Sequence, residues 1–366
     1  MLHTSRGLLA VMLAAILFAS SPASGQAGDA ATTSDFTFES GGKTLSGVMD
    51  VPASGEAKAL VIFIHGYGGT DIRGQNKYAG LRERFTGLGI TTVTWDKPGQ
   101  GESEGTFDIN QPVHDSAQEV LDAAAWLREQ AVPGAGRIGL WGLSRGGWIA
   151  PIALSQDPEM DFWISVGGVT AEDNYQYLII SNLPHEGYSE DEARTIDAEW
   201  RAGFEVFSSG GSFEAYEAAT PALRANEYVT RMMGPNYTRE AYEMEQQGFL
   251  SMPPEMRRQN FDPETGMSVN IQDFGKMLSG LDIDVLAVFG EKDLNVDWRK
   301  TRALYEETIG QNPEASLRVE TFPDANHNLD TAETGSIREM QAMESRSKVD
   351  GYYDVQAEWL KEVVLE

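Results

Sequence analysis

The feature that most constrains the fold of this chain is the sequence Gly-Leu-Ser-Arg-Gly at residues 142–146. An apolar run typical of a strand, residues 137–141, precedes it, and residues 147–150 open a helical segment directly after it. The glycines on both sides of Ser144 permit a turn that is too tight for larger side chains. Such a turn presents the serine hydroxyl at the end of a strand. The segment therefore predicts a strand, a sharp turn and a helix in direct succession, with Ser144 as a candidate nucleophile.

The rest of the chain alternates apolar strand patterns with helical patterns. Strands are predicted at residues 36–38, 45–51, 59–64, 90–95, 162–166, 285–289 and 317–321, and helices at 77–88, 112–130 and 349–364. A continuous apolar run such as 59–64 is typical of a strand that is covered on both faces. This alternation predicts an α/β fold, with a mostly parallel central sheet and helices on both of its faces.

The alternation is interrupted by a long segment that is rich in Glu, Tyr, Phe and Met. Residues 171–279 have helical spacing and few strand signals, so we predict a helical insertion there, with the core formed by residues 26–170 and 280–366. Aromatic and Met side chains of the insertion are candidates for lining a substrate pocket, although their spacing is more typical of a helical core. They are Tyr175, Tyr177, Trp200, Phe204, Phe207, Tyr216, Tyr228, Met232 and Met233.

The N-terminal segment has the layout of a secretory signal peptide. Arg6 is followed by an apolar stretch at residues 8–19 and by small residues at 20–28. We expect residues 1–25 to be the signal peptide and the mature protein to be periplasmic or secreted. A retained membrane anchor is the alternative, but the apolar stretch is short for a membrane span.

Composition excludes several classes of site and partner. The chain has 366 residues, no cysteine and a formal net charge of -28. A thiol nucleophile, a disulfide framework and a cysteine-ligated metal are therefore excluded. An acidic surface repels nucleic acid and anionic lipid, so we expect no nucleic-acid partner and no stable membrane association after signal cleavage.

A glycine-rich loop follows the predicted strand at 59–64. Its sequence is His-Gly-Tyr-Gly-Gly, residues 65–69. A loop in this place can aim a backbone N–H at a developing oxyanion, together with the N–H of the residue after the nucleophile. The expected donors are the backbone amides of Tyr67 and Arg145. The alternative is an ordinary tight turn between a strand and a helix.

A candidate base and a candidate acid follow the last two predicted strands. The chain has only five histidines, and His327 is the one that lies in a loop after a C-terminal strand. Asp293 comes just after the preceding strand, so the order Ser144, Asp293, His327 fits a Ser–acid–His triad. Two other carboxylates, Asp297 and Asp324, remain alternatives for the acid.

No metal or other cofactor is expected. Residues 293–297 have the Asp-x-Asn-x-Asp start of a calcium loop. Trp298 stands where such a loop needs glycine at its sixth position, and Leu304 stands where it needs glutamate at its twelfth. Calcium is therefore disfavoured.

Taken together, these segments resemble the α/β-hydrolase superfamily, in particular its capped bacterial esterase and peptidase-like branch. The resemblance is carried by residues 65–69, 96–103, 142–146, 290–293 and 326–327. The loop at 96–103 is similar to the Asp-x-Arg-Gly-x-Gly-x-Ser loop of that branch, but Lys97-Pro98 stands in place of x-Arg. The resemblance implies an α/β-hydrolase fold with a helical cap inserted after the sixth strand.

The residues and the resemblance together predict a serine hydrolase that cleaves a small-molecule carboxylic ester through an acyl-enzyme. Ser144 is the expected nucleophile, His327 the base and acid, and Asp293 the residue that orients the histidine. A peptidase or amidase with the same groups is the main alternative. An acyltransferase would also share these residues.

Overall fold

The computed structural model describes residues 31–76, 78–233 and 238–365. The chain divides into two compact units. Within the described residues, the larger unit contains 31–170, 273–335 and 339–365, and the smaller unit contains 171–272 and 336–338. The predicted signal peptide, residues 1–25, lies outside the described residues.

The larger unit contains every strand of the described sheet. The strands are β1 (Thr32–Ser40), β2 (Lys43–Val51), β3 (Ala59–Ile64), β4 (Ile90–Trp95), β5 (Ile138–Leu143), β6 (Met160–Val166), β7 (Asp284–Gly290) and β8 (Ser316–Phe322). The helices in chain order are α1 (Ala79–Gly87), α2 (Val113–Glu129), α3 (Gly146–Gln156), α4 (Tyr175–Asn182), α5 (Glu190–Ser208), α6 (Phe213–Ala219), α7 (Pro221–Ala225), α8 (Glu227–Met233), α9 (Arg239–Ser251), α10 (Pro254–Asn260), α11 (Phe274–Ser279), α12 (Trp298–Glu307), α13 (Ile337–Ala342) and α14 (Tyr352–Leu360).

The eight strands form one sheet in the order β1-β2-β4-β3-β5-β6-β7-β8. Strand β2 pairs antiparallel with β1 and with β4, and the other pairs from β4 to β8 are parallel. The prediction of a mostly parallel central sheet is confirmed. Strands β3 and β4 are buried at every position. For β3, this burial is what its continuous apolar sequence predicts.

Helices cover both faces of this sheet. Neighbouring residues of a strand point to opposite faces of the sheet. On β6, two neighbouring residues each contact an aromatic ring of a helix, one on each face. Phe162 packs on Trp359 of α14, with ring centroids 6.0 Å apart. The next residue, Trp163, packs on Tyr305 of α12 at 5.6 Å. A layer of helices therefore lies on each side, as predicted.

The parallel registers bring the carboxyl ends of the central strands to one edge. Ile64 at the end of β3 is paired with Gly142, and Leu143 at the end of β5 is paired with Val166. On the other side, Gly290 at the end of β7 is paired with Phe322. Because parallel strands end at the same edge, the loops after β3, β5, β6, β7 and β8 all begin there.

The smaller unit is helical in its described part, with α4 to α10 following one another along the chain. Its longest helix, α5, begins with a capping box in which Ser189 and Glu192 exchange hydrogen bonds. The first segment of this unit ends at Gln272, whereas the predicted insertion extends to residue 279. Helix α11 belongs to the larger unit because Phe274 and Leu278 are buried and the helix packs on α3.

Most of the aromatic residues that were candidates for a substrate pocket lie in the internal core of the smaller unit. Tyr175, Trp200 and Tyr228 are buried in one apolar cluster, with Met232 and Met233 packed against it. A second group of rings is in mutual contact and contains Phe204, Phe207, Tyr216, Tyr242 and Phe249.

Among the described residues, no helix is long and apolar enough to span a membrane.

Candidate active site

Ser144 lies in the turn between β5 and α3, as the Gly-x-Ser-x-Gly pattern predicts. Its φ is 53°, in the left-handed region that is costly for a residue other than glycine. The Ser144 N–H donates to the carbonyl of Val166 at 2.9 Å, and the Gly147 N–H donates to the carbonyl of Ser144 at 2.7 Å. A Cβ at Gly142 would lie 3.0 Å from the carbonyl oxygen of Gly146. This close approach explains why the turn needs glycine there.

His327 and Asp293 are in direct contact. The two atoms Nδ1 of His327 and Oδ2 of Asp293 are 2.7 Å apart, and both side chains are buried. An ionised carboxylate only accepts hydrogen bonds, so Nδ1 carries the proton in this pair. The other ring nitrogen, Nε2, is then the one that can accept a proton.

The second oxygen of Asp293 is held by the backbone of the loop that follows β7. Oδ1 accepts hydrogen bonds from the N–H groups of Asn295 at 2.8 Å and Val296 at 2.9 Å. Asp293 is only 1% exposed. The carboxylate is therefore fixed in one orientation, with Oδ2 directed at the imidazole.

The two alternative acids have other partners. Asp297 caps the N-terminus of α12, where its side chain accepts from the N–H groups of Arg299 and Lys300. Asp324 accepts from Lys292 Nζ at 2.9 Å, and its side chain is mostly exposed. Of the three candidate acids, Asp293 is the one that contacts the His327 imidazole.

The end of β6 connects the serine and the histidine. The carbonyl of Val166 accepts from Ser144 N–H, and the next residue, Gly167, lies against the ring of His327. A Cβ at Gly167 would lie 3.3 Å from Cε1 of His327, and φ of Gly167 is +55°. One dipeptide thus contacts both Ser144 and His327, which brings the candidate nucleophile and base to the same place.

Asn326 organises the loop that carries His327, a role that sequence reasoning did not find. This side chain is fully buried, and its Oδ1 accepts from the N–H groups of Asn328 at 2.9 Å and Asp330 at 3.1 Å. Leu329 in the same loop has a φ of 59°. The only sequence signal was that Asn precedes His327, and an Asn in a loop has many possible hydrogen-bonding roles.

The loop at residues 65–69 lies against the serine turn. A Cβ at Gly66 would be 3.5 Å from Cβ of Ser144. The side chain of Tyr67 is 37% exposed and makes an edge contact with the ring of Trp148. The backbone amides of Tyr67 and Arg145, the predicted oxyanion donors, therefore belong to two segments that meet beside Ser144.

The side chain of Arg145 is buried away from solvent. Its guanidinium donates to Ser116 Oγ at 3.1 Å and to the backbone carbonyl of Gln111. Burial lowers the pKa of Arg145, and the nearby Tyr67 and Glu119 act in the opposite direction. These contacts join Arg145, which directly precedes α3, to α2 and to the segment before α2. They hold the residue after Ser144 in place.

The loop at 96–103 is tied to the neighbouring loops through its first two residues. Asp96 accepts from the Ile72 N–H at 2.8 Å and from Arg73 Nη1 at 3.3 Å, and burial raises its pKa. Lys97 is buried as well, and its ammonium donates to the carbonyls of Gly66 and Gly68. Sequence reasoning recognised the loop but did not predict these contacts, because a lysine is usually exposed.

No group of three or more His, Cys, Asp or Glu side chains in the described part of the chain is placed to hold a metal ion. The arrangement places an imidazole that is paired with a buried carboxylate and a serine in a strained turn against one dipeptide, Val166-Gly167. An imidazole of this kind can transfer a proton to and from a serine hydroxyl within its reach.

Comparisons with known proteins give a family for this chain. A sequence model of the family described as X-Pro dipeptidyl-peptidase (S15 family) matches residues 42–320. An uncharacterized 31.7 kDa protein of Escherichia coli is 31% identical over 115 residues, which is 31% of this chain. The chain spans only 39% of the length of that relative.

Several solved structures share the fold at low sequence identity. The esterase Pf2001 of Pyrococcus furiosus has a TM-score of 0.50 and 15% identity, with 91% of this chain and 94% of that chain covered. The α/β hydrolase GrgF of Penicillium sp. sh18 has a TM-score of 0.51 and 19% identity, with 92% of this chain and all of that chain (100%) covered. DcsB, in complex with its substrate analogue, has a TM-score of 0.52 and 14% identity over the same shares.

These structures confirm the α/β-hydrolase fold that the sequence predicts. The family match extends from β2 to β8 and includes the segments that carry Ser144 and Asp293. The chain therefore has the α/β-hydrolase fold and belongs to the X-Pro dipeptidyl-peptidase (S15) family.

Proposed function

We propose that this protein hydrolyses carboxylic esters through an acyl-enzyme formed on Ser144. The observation that carries the proposal is the dipeptide Val166-Gly167, which contacts Ser144 on one side and the ring of His327 on the other. The buried Asp293 carboxylate accepts from Nδ1 of the same ring, at 2.7 Å. Nucleophile, base and orienting acid therefore belong to one connected set of contacts.

In the first half of the proposed reaction, Ser144 Oγ attacks the carbonyl carbon of the ester while His327 Nε2 takes the hydroxyl proton. The carbonyl oxygen becomes an oxyanion, which accepts hydrogen bonds from the backbone amides of Tyr67 and Arg145. Asp293 stabilises the imidazolium that forms. When the tetrahedral intermediate collapses, the proton moves from His327 to the leaving alcohol and the acyl group remains on Ser144.

In the second half, a water molecule takes the place of the alcohol. His327 removes a proton from this water as it attacks the acyl carbon, and then returns the proton to Ser144 Oγ. The products are the carboxylic acid and free enzyme. Because every group is regenerated, the cycle needs no cofactor.

Small-molecule esters are the substrate class for which the described groups are sufficient. An alkoxide leaves more readily than an amine, so ester cleavage depends less on protonation of the leaving group. Cleavage after an X-Pro dipeptide needs, in addition, a subsite that recognises the amino terminus of the peptide. Ester hydrolysis is therefore our first candidate.

The second candidate is cleavage of a peptide bond by the same groups. The family model that matches residues 42–320 is described as an X-Pro dipeptidyl-peptidase, and this specific observation favours a peptide substrate. The acyl-enzyme in that case would be a dipeptidyl ester of Ser144. The chemistry at the serine is the same for both candidates.

The experiment that separates them is a substrate panel with purified protein. Short p-nitrophenyl esters and X-Pro p-nitroanilides are compared by kcat/KM, with Ser144→Ala as the background for each substrate. We expect ester turnover that depends on Ser144 and little release of nitroaniline. Robust turnover of X-Pro anilides, with ester cleavage no faster than in Ser144→Ala, would establish the second candidate instead.

We also propose that the protein is exported, with the mature chain in the periplasm or the medium. The support is the signal-peptide pattern in residues 1–25. Mass spectrometry of the N-terminus of the natural protein should find a chain that begins after residue 25. A natural protein that retains residues 1–25 would contradict export by cleavage.

A further inference from the structure

The loop at residues 96–103 takes no part in the proposed reaction, but its lysine contacts a loop that does. The ammonium of Lys97 donates to the carbonyl oxygen of Gly66 at 2.6 Å and to that of Gly68 at 2.8 Å. These two carbonyls lie on either side of Tyr67, whose backbone N–H is a proposed oxyanion donor. A single buried cation therefore holds both neighbours of the donor residue.

Because the peptide bond is planar, the hydrogen bond from Lys97 to the Gly66 carbonyl also fixes the direction of the Tyr67 N–H. The carbonyl of Gly66 and the N–H of Tyr67 belong to one trans peptide unit, in which O and H point in opposite directions. When the oxygen is held towards Lys97, the hydrogen must point away from it. Gly66 itself lies against the serine turn, since a Cβ on this residue would be 3.5 Å from Cβ of Ser144.

The composition of the loop makes such a restraint necessary. Three of its five residues, Gly66, Gly68 and Gly69, are glycines, and φ of Gly68 is +90°. Glycine peptides rotate with little steric resistance, so the sequence by itself does not fix the direction of the Tyr67 N–H. Lys97 can fix it because its own backbone is anchored: the Lys97 N–H donates to Thr70 Oγ1 at 2.8 Å.

The positive charge of Lys97 acts on a second buried group, the carboxyl of Glu119. Glu119 on α2 accepts from Gln111 Nε2 at 2.6 Å and from Trp95 Nε1 at 3.3 Å. Burial raises the pKa of Glu119, whereas Arg145 and Lys97 both lower it through their positive charges. The ammonium of Lys97 is satisfied in its buried position by the two carbonyl oxygens to which it donates.

We propose that Lys97 is a positioning residue for the oxyanion hole, which holds the Gly66–Tyr67 peptide so that the Tyr67 N–H is directed at the oxyanion. Lys97 acts through this peptide and does not touch the substrate. The inference rests on the proposed function, because it presumes an oxyanion beside Ser144. It predicts that loss of the ammonium weakens binding of the transition state while binding of the ester ground state is kept.

The test is the variant Lys97→Met, which keeps an unbranched side chain up to the position of Cε and removes the ammonium with its donors. We expect kcat for a p-nitrophenyl ester to fall about 10- to 100-fold, less than the loss of a donor itself, with KM within about 3-fold of wild type. A trifluoromethyl ketone forms an oxyanion adduct with a serine, so its affinity should fall by the same factor as kcat/KM. Titration to end point with a fluorophosphonate counts the active sites and corrects for any unfolded protein.

The matched control is Arg137→Met. Arg137 also donates to two backbone carbonyls, those of Val363 and Val364, but it precedes β5 at the other end of that strand. This variant should lose thermal stability and keep the kcat of each remaining active site. If Lys97→Met does not fold, Lys97→Gln, which is shorter and uncharged, should show the same loss confined to kcat.

Three results would overturn the inference: wild-type kcat in the Lys97 variants, a rise in KM at unchanged kcat, or a loss that the active-site count fully explains. Failure of the proposed function gives a different result. In that case Ser144→Ala would keep its ester activity. If Ser144→Ala is inactive and Lys97→Met is fully active, the proposed function stands and only the role of Lys97 is contradicted.

Discussion

The serine side and the histidine side of the candidate site are held in place by different means. On the serine side the backbone is constrained: Ser144 has a φ of 53°, and a Cβ at Gly142 would lie only 3.0 Å from the carbonyl oxygen of Gly146. On the histidine side the loops are fixed by side chains, because Asp293 and Asn326 each accept hydrogen bonds from two backbone N–H groups.

This difference explains why the two sides are unequally visible in the sequence. A strained turn needs particular residues next to one another, so it leaves a local pattern of five residues around Ser144. A side-chain network joins residues that are distant in the chain, and Asp293 and His327 are 34 positions apart. The histidine side can be predicted only from the order of strands and loops.

The largest effect is expected from His327→Ala, which tests the histidine side directly. Loss of the base should reduce kcat for ester hydrolysis about 10⁵- to 10⁶-fold, because Ser144 then has no acceptor for its proton. His114→Ala is the matched control, since His114 is exposed on α2 and should stay within about 2-fold of wild type. A comparable loss in both variants, or none in His327→Ala, would contradict the assignment of the base.

The next effect separates the three carboxylates. Asp293→Asn should reduce kcat about 10⁴-fold, because the amide leaves the imidazole without its negative partner and favours the wrong tautomer. Asp297→Asn keeps a side chain that can cap α12, and it should keep kcat within a few-fold and stability within about 1 kcal/mol. Steady-state kinetics and denaturant unfolding measure both. If Asp297→Asn, or the exposed Asp324→Asn, loses more activity than Asp293→Asn, the acid has been assigned to the wrong residue.

A smaller effect is expected where the two sides meet, at Gly167. In Gly167→Ala the new Cβ stands 3.1 Å from the carbonyl oxygen and 3.3 Å from Cε1 of His327 at a positive φ, so His327 is displaced. A displacement on the scale of 1 Å costs up to about 10²-fold in rate, and we expect kcat to fall about 10- to 100-fold. Gly187→Ala is the control, because its φ is +97° with nothing within 4 Å of a Cβ. It should lose stability without losing kcat, and equal losses of kcat in both would show that backbone strain alone is responsible.

The smallest effect concerns the strain on the serine side. Ser144→Gly should be more stable than Ser144→Ala by about 0.5–1 kcal/mol, because glycine adopts a φ of 53° without the cost that alanine bears. Both variants lack the hydroxyl, so the difference in their free energies of unfolding isolates the backbone. Equal stabilities would mean that the turn stores no strain at Ser144.

Much of the fold could be predicted from the sequence because the spacing of the apolar residues along the chain agrees with which positions are buried. The bounds of β3 and β4 match the predicted segments 59–64 and 90–95 to the residue, and both strands are buried at every position. The end of the insertion could not be predicted, because the apolar spacing of Phe274 and Leu278 does not reveal which unit buries them. The burial of Lys97 could not be predicted either, because its acceptors are backbone carbonyls from another loop.

The central claim is that Ser144 forms the covalent intermediate, and site mapping with a fluorophosphonate tests it most directly. The wild-type protein is labelled, digested and analysed by mass spectrometry, with Ser144→Ala treated in parallel. We expect one modified peptide, with the phosphonyl group on Ser144, and no labelling of the variant. A label on a different serine, or undiminished labelling of Ser144→Ala, would contradict the account.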